Sequence, residues 1–217
     1  MNFSHLFSFL ETLQKNNNKD WMDAHRSEYV AVRDGYIAWL EQMNIKLAAV
    51  DLDYFDTPGK KAINRINNNL MFQPNKPIYK DHFGAGLDQV SRQGDFYIEM
   101  GVHECYMGGG YWHPSPNILK SIRDAIDYNG DEFKEILHKD SFKKCFGNMI
   151  EGSQLKTSPR GYDVRHRHID LLRRKSFAVS HYVTRKEIMK SDFDHKVIEV
   201  YKEMVPFRRY LNKAITV

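Results

Sequence analysis

The segment Lys76-Pro77-Ile78-Tyr79-Lys80-Asp81-His82-Phe83-Gly84 places two cations, a phenol and an imidazole on one proline-stiffened loop, shortly after Arg65. Ammonium and guanidinium groups donate charge-assisted hydrogen bonds, so such a loop suits a phosphate or a carboxylate. A second stretch repeats the composition: Leu155-Lys156-Thr157-Ser158-Pro159-Arg160-Gly161-Tyr162, with Lys175 downstream at the mouth of an expected strand. If the fold brings both loops together, Arg26, Arg65, Lys76, Lys80, Lys156, Arg160 and Lys175 line a positive recess with Tyr79 and Tyr162 as walls. The bland alternative is that these cations pair with Asp20, Asp23, Asp81 or Asp170 and that the tyrosines fill the core.

Three uses of these residues stay open. The first is a binding module for a small anionic ligand. The second is an enzyme in the same recess, with His113 or His82 as general base and Tyr79 as proton donor. The third is nucleic-acid binding through residues 154–190, where ten basic residues face three acids and carry a charge of +7 within a chain whose total is only +4.

Other chemistries find no support. Gly84-Ala85-Gly86 and Gly108-Gly109-Gly110 lack the surroundings of a dinucleotide fingerprint or a P-loop. The three consecutive glycines instead suit positive φ or a close backbone approach beside bulky aromatics. His166 and His168 are two apart with no evident third ligand, so no metal is expected. No Gly-x-Ser-x-Gly element marks a nucleophile, and Cys105 and Cys145 match neither a redox nor a metal spacing and are expected as reduced, packed thiols. No cofactor is implied. Apolar runs are far shorter than the roughly 20 residues a membrane helix needs, and the amino terminus lacks secretory features, so a cytoplasmic location and no membrane partner are expected. The oligomeric state is not legible.

The elements that must position these loops are read from periodicity. With 217 residues, 41% of them hydrophobic and 28% charged, the chain suits one domain over 1–217. Phe3, Leu6, Phe7, Leu10 and Leu13 share one helix face, closed by Asn16-Asn17-Asn18. Beyond Asp20 as an expected N-cap, Tyr29, Val32, Tyr36, Leu40, Met43, Leu47 and Val50 predict a long helix. Ile63, Ile66 and Leu70 suggest a short third helix before Pro74, followed by loop to Gly86. Phe96, Ile98, Met100 and Val102 alternate with Tyr97, Glu99, Gly101 and His103, the period of a strand, and lead into a hairpin toward Gly108. Pro114-Ser115-Pro116 opens a helix ending at Asn129-Gly130, and Asp131 and Ser141 are expected to cap two shorter pieces. Phe177, Val179, His181 and Val183 predict another strand, and Val197 to Val205 a final helix kinked or ended near Pro206. Helices at both ends and strands in the middle, without βαβ alternation, give an α+β class with an antiparallel sheet packed on helices.

At several landmarks the chain resembles a widespread bacterial and fungal family of uncharacterised proteins, domain of unknown function family 2461. The matching strings are Asn17-Asn18-Lys19-Asp20-Trp21-Met22 with Arg26 and Tyr29, Arg65 before Phe72, and Lys76-Pro77-Ile78-Tyr79-Lys80. Gly109-Gly110-Tyr111-Trp112-His113-Pro114 and Leu155 to Tyr162, with Leu172 and Lys175, complete the set. The resemblance implies a single α+β domain and brings no activity, ligand or catalytic residue. One departure stands out: Asn69-Leu70-Met71-Phe72 occupies the place of an Asp-x-Arg-Phe type segment, so an ion pair or anion contact of relatives is expected to be missing.

Overall fold

The computed structural model describes all residues except Phe72, Ser153, Thr216 and Val217, so the Phe72 landmark lies outside the described residues. The class is α+β: helices accompany a four-stranded antiparallel sheet ordered β1-β2-β3-β4. The described residues group into two compact units, one of Met1–Gln89, Phe96–Met107 and Tyr182–Ile198, the other of Val90–Asp95, Gly108–His181 and Glu199–Val217.

In the first unit, α1 (Phe3–Lys15) starts where the Asn2 side chain accepts the His5 N–H, and it buries the face read from its spacing together with Phe9. The cap of the next helix is Asn18, which accepts from Trp21 N–H, and not Asp20. This helix, α2 (Lys19–Ala24), is a separate short piece, because His25 at φ −108°, ψ 20° breaks the path before α3 (Arg26–Ala48). On α3, Val32, Tyr36, Trp39, Leu40, Met43 and Leu47 are buried.

The third helix corrects the periodicity. Only Gly59–Ala62 (α4) is helical. Beyond it Ile63 pairs with Ala85, Asn67 pairs with Tyr79, and Asn64 N–H donates to the Gly84 carbonyl at 2.8 Å, so the chain runs extended beside a strand. β-Branched isoleucines among four asparagines make a poor helix, and the open edge of a strand outcompetes it. That strand, β1 (His82–Leu87), falls where a loop was expected. It pairs antiparallel with β2 (Phe96–Gly101), with Gly84 opposite Glu99 and Gly86 opposite Tyr97. β3 (Cys105–Tyr111) completes the expected hairpin, and β4 (Phe177–Tyr182) is the expected later strand. Phe83, Ala85, Leu87, Phe96, Ile98 and Met100 are all buried, one face of the pleat. Tyr36 of α3 packs on Phe83 at 5.7 Å between ring centroids. A capping box of Thr184 and Glu187 then starts α8 (Arg185–Ile188).

In the second unit, Ser115 caps α5 (Pro116–His138), which passes its expected stop: Asn129 is locally non-helical at φ −142°, ψ 50°, and the helix resumes. The cap of α6 (Asp140–Phe146) is Lys139, without a side-chain bond, because the Ser141 hydroxyl is spent on Glu203 at 2.8 Å. The turn α7 (Ile169–Leu172) precedes β4. The last helix, α9 (Phe193–Lys213), belongs to this unit from Glu199 onward, contains Pro206 and continues beyond it. Gly110 explains the glycine run: its φ is +103°, and a Cβ there would meet the Phe177 carbonyl oxygen at 2.2 Å and the Phe207 ring at 2.9 Å. Cys105 and Cys145 are thiols among the described residues; Cys105 Sγ donates to the Gly101 carbonyl, and Cys145 Sγ lies 3.6 Å from His181 Nδ1. Among the described residues no helix is long and apolar enough to cross a membrane.

Candidate ligand-binding face of the first unit

The loop before β1 is held by its main chain. Tyr79 N–H donates to Asn17 Oδ1 at 2.9 Å, and Asn17 Nδ2 returns a bond to the Tyr79 carbonyl at 2.9 Å. Lys80 N–H donates to the Ile66 carbonyl at 2.7 Å. This clamp puts most of Tyr79 in the core, at 5% exposure, which corrects its expected place as an open wall of a recess. A tyrosine ring is large enough to reward burial, and the neighbouring strand pairing carries it inward.

Lys80 is left half-buried, with its Nζ donating to the Arg65 carbonyl at 2.8 Å. Burial, followed by the Arg65 charge, pulls its pKa below the ordinary lysine value; Lys76 acts in the same direction and Glu99 opposes them. Among the described residues no carboxylate lies within 4 Å of Arg65, Lys76 or Lys80, as none enters an ion pair. Arg26 behaves otherwise, pairing with Asp23 at 2.8 Å, as the bland reading allowed.

The sheet carries a polar aromatic cluster whose carboxylate, Glu99, acts on Lys80 through its charge. Glu99, with its side chain only 12% exposed, accepts on Oε2 from the Tyr97 phenol at 2.9 Å and the Tyr106 phenol at 3.4 Å. Burial first, and then the Glu99 charge, raises the pKa of both phenols, so they remain donors. His82 bridges the two halves of the cluster, its Nε2 3.7 Å from Glu99 and its Nδ1 3.4 Å from Asp81. Gly84 makes room for this: a Cβ there would lie 2.1 Å from the Tyr97 phenol oxygen, so the ring crosses β1 where a side chain is missing. Tyr97, Tyr106 and Tyr182 form a ring series with centroids 5.8 and 5.6 Å apart.

None of Tyr97, Glu99, Tyr106 and Tyr182 was singled out from sequence. The alternation of Tyr97 and Glu99 with Phe96, Ile98 and Met100 carries the only trace of them in the sequence.

The remaining expected residues belong to the second unit. Lys156 and Arg160 are exposed and Lys175 is half-buried. Tyr162 donates to Asp124 at 3.0 Å, and burial and that carboxylate push its phenol up to about 12. His113 is exposed at φ 48°, a left-handed conformation for a residue preceding proline, and its N–H donates to Ser176 Oγ at 3.0 Å. A cavity of about 690 Å³ in this unit is lined by Arg173, Arg174 and Lys143 and by none of His113, Lys156, Arg160 or Lys175. Within 154–190, Arg165 pairs with Asp163 and Arg167 with Asp131. Arg174 donates to the carbonyls of Ile150 and Ser176, and Arg185 pairs with Glu11, so part of the charge excess is already engaged.

A family match now accompanies this geometry, because the sequence profile of the conserved hypothetical proteins DUF2461 matches residues 5–210. The chain belongs to that family. Comparison with curated proteins and with solved structures finds no match. In this DUF2461 member Met71, of the departing segment, is 83% exposed, and the preceding Asn68 donates its side-chain amide to the Pro77 carbonyl at 2.9 Å.

Proposed function

We propose that the first unit is a binding module for a small phosphate- or carboxylate-bearing ligand, gripped by Arg65, Lys76 and Lys80. The observation that supports this reading is Lys80, a half-buried ammonium beside two further cations with no ion-pair partner among the described residues. Desolvation and like charge both work against the bare cation, so an arriving anion relieves an existing cost as well as adding bonds of about 1.5–3 kcal/mol each. The test is thermal unfolding in rising inorganic phosphate at constant ionic strength, since a ligand of the native state raises the midpoint. The parent midpoint rises and that of Lys80→Ala does not. Equal rises in both proteins would remove the site.

A second reading makes the same face catalytic, with His82 as general base, and it is favoured by the imidazole lying between Asp81 and Glu99 with its side chain 28% exposed. It expects hydrolysis of p-nitrophenyl phosphate that falls at least about 100-fold in His82→Ala. A parent protein without turnover leaves only the binding module.

A further inference from the structure

The tyrosine series is anchored on Glu99, whose charge also acts on Lys80, and the pairing narrows the ligand. Tyr97 on β2, Tyr106 on β3 and Tyr182 on β4 bring three rings together from three successive strands. The first two rings are fixed, because both phenols donate to the same carboxylate oxygen, Glu99 Oε2. Tyr182 is 62% exposed and closes the series on the solvent side. Glu99 Oε1 has no hydrogen-bond partner among the described residues, and a carboxylate can only accept. These residues supply cations, an acceptor oxygen without a partner and two rings held by their phenols, with a third ring exposed beside them.

An anion alone uses only the first of these. A ligand using all three has one anionic end, neutral hydroxyl donors and a ring whose C–H face packs on an aromatic. The Glu99 charge in the middle of the face repels a polyanionic backbone, which disfavours a nucleic-acid strand. Resting on the anion site proposed above, we infer that the ligand is a phosphorylated sugar, its phosphate on Lys80 with Arg65 and Lys76, its hydroxyls on Glu99 Oε1, and its ring on Tyr106 and Tyr182.

Calorimetric titration at one ionic strength tests this with inorganic phosphate, glucose 6-phosphate, mannose 6-phosphate, ribose 5-phosphate and adenosine monophosphate. At least one sugar phosphate binds the parent about tenfold or more tighter than inorganic phosphate, as one additional hydrogen bond to a charged group requires. Tyr182→Ala, a change at an exposed ring, cuts that preference severalfold and leaves phosphate binding unchanged, and Glu99→Gln cuts it independently. Lys80→Ala weakens phosphate and sugar phosphate alike. Phosphate binding without preference for any of the three sugars, or a preference untouched in both Tyr182→Ala and Glu99→Gln, overturns the sugar and keeps the anion site. Tighter binding of adenosine monophosphate overturns it in favour of a nucleotide. Failure of every anion overturns the anion site and this inference together.

Discussion

Lys76–Gly84 in the first unit and Leu155–Tyr162 in the second share their composition of cation, proline, cation, glycine and tyrosine, yet different atoms hold them. In the first, Asn17 grips the Tyr79 main chain on both sides, the ring sinks into the core and the ammonium of Lys80 is drawn half under the surface. In the second, the tyrosine is held by its hydroxyl, on an Asp124 already bonded to Lys120 at 2.5 Å, while Lys156 and Arg160 stay in solvent. A solvated cation gains little from an anion because water and salt screen it, whereas a half-buried one gains more. Composition brings basic residues to a loop; the partner that fixes the loop decides how deeply one of them is buried.

The comparison predicts unequal responses to removing each anchor. The largest effect is expected from Asn17→Ala, which strips both bonds from the Tyr79 main chain and costs about 2–3 kcal/mol in urea unfolding. A cost below about 0.5 kcal/mol there would mean the clamp is incidental. Next comes Gly84→Ala, where the added methyl must displace the Tyr97 phenol and costs about 1–3 kcal/mol. Retention of the Tyr97 to Glu99 contact in a crystal structure of that variant would contradict the role given to Gly84. Tyr162→Phe, on the second loop, loses one bond to a half-exposed Asp124 and is expected to cost under about 1 kcal/mol.

Acid titration sharpens the contrast further. Burial pushes Asp81 up, but the hydrogen bonds from Gln14 and His82 outweigh it and hold its carboxyl below the ordinary range. A carboxyl whose folded pKa is depressed contributes stability that is present above its unfolded value and is lost as pH falls through the folded one. Parent stability therefore declines below about pH 4, and Asp81→Asn declines less steeply. Parallel pH profiles for the two proteins would show that Asp81 contributes nothing.

Much of this arrangement was legible in the sequence. Apolar spacing marked α1 and α3, and alternation marked the β2-β3 hairpin and β4. The path of residues 63–87 was not legible, for two physical reasons. Ile63, Ile66 and Leu70 fall three and four apart, which imitates a helix although the chain there is extended along a strand edge. Gly84 and Gly86 supply the alternate positions of β1 without side chains, so its period of two is invisible by composition. The burial of Tyr79 depends on Asn17, 62 positions away, a contact that no local pattern encodes. The contacts of Tyr97, Tyr106 and Tyr182 depend on which strands lie side by side, which no local pattern encodes.

Whether the first loop and not the second takes an anion can be read in a single titration. In protein labelled with ¹⁵N-lysine, followed by ¹H–¹⁵N spectra as inorganic phosphate is added at constant ionic strength, the signals of Lys76 and Lys80 shift saturably while those of Lys156 stay in place. Equal shifts at Lys80 and Lys156, or a Lys80 signal that does not move, would contradict the account.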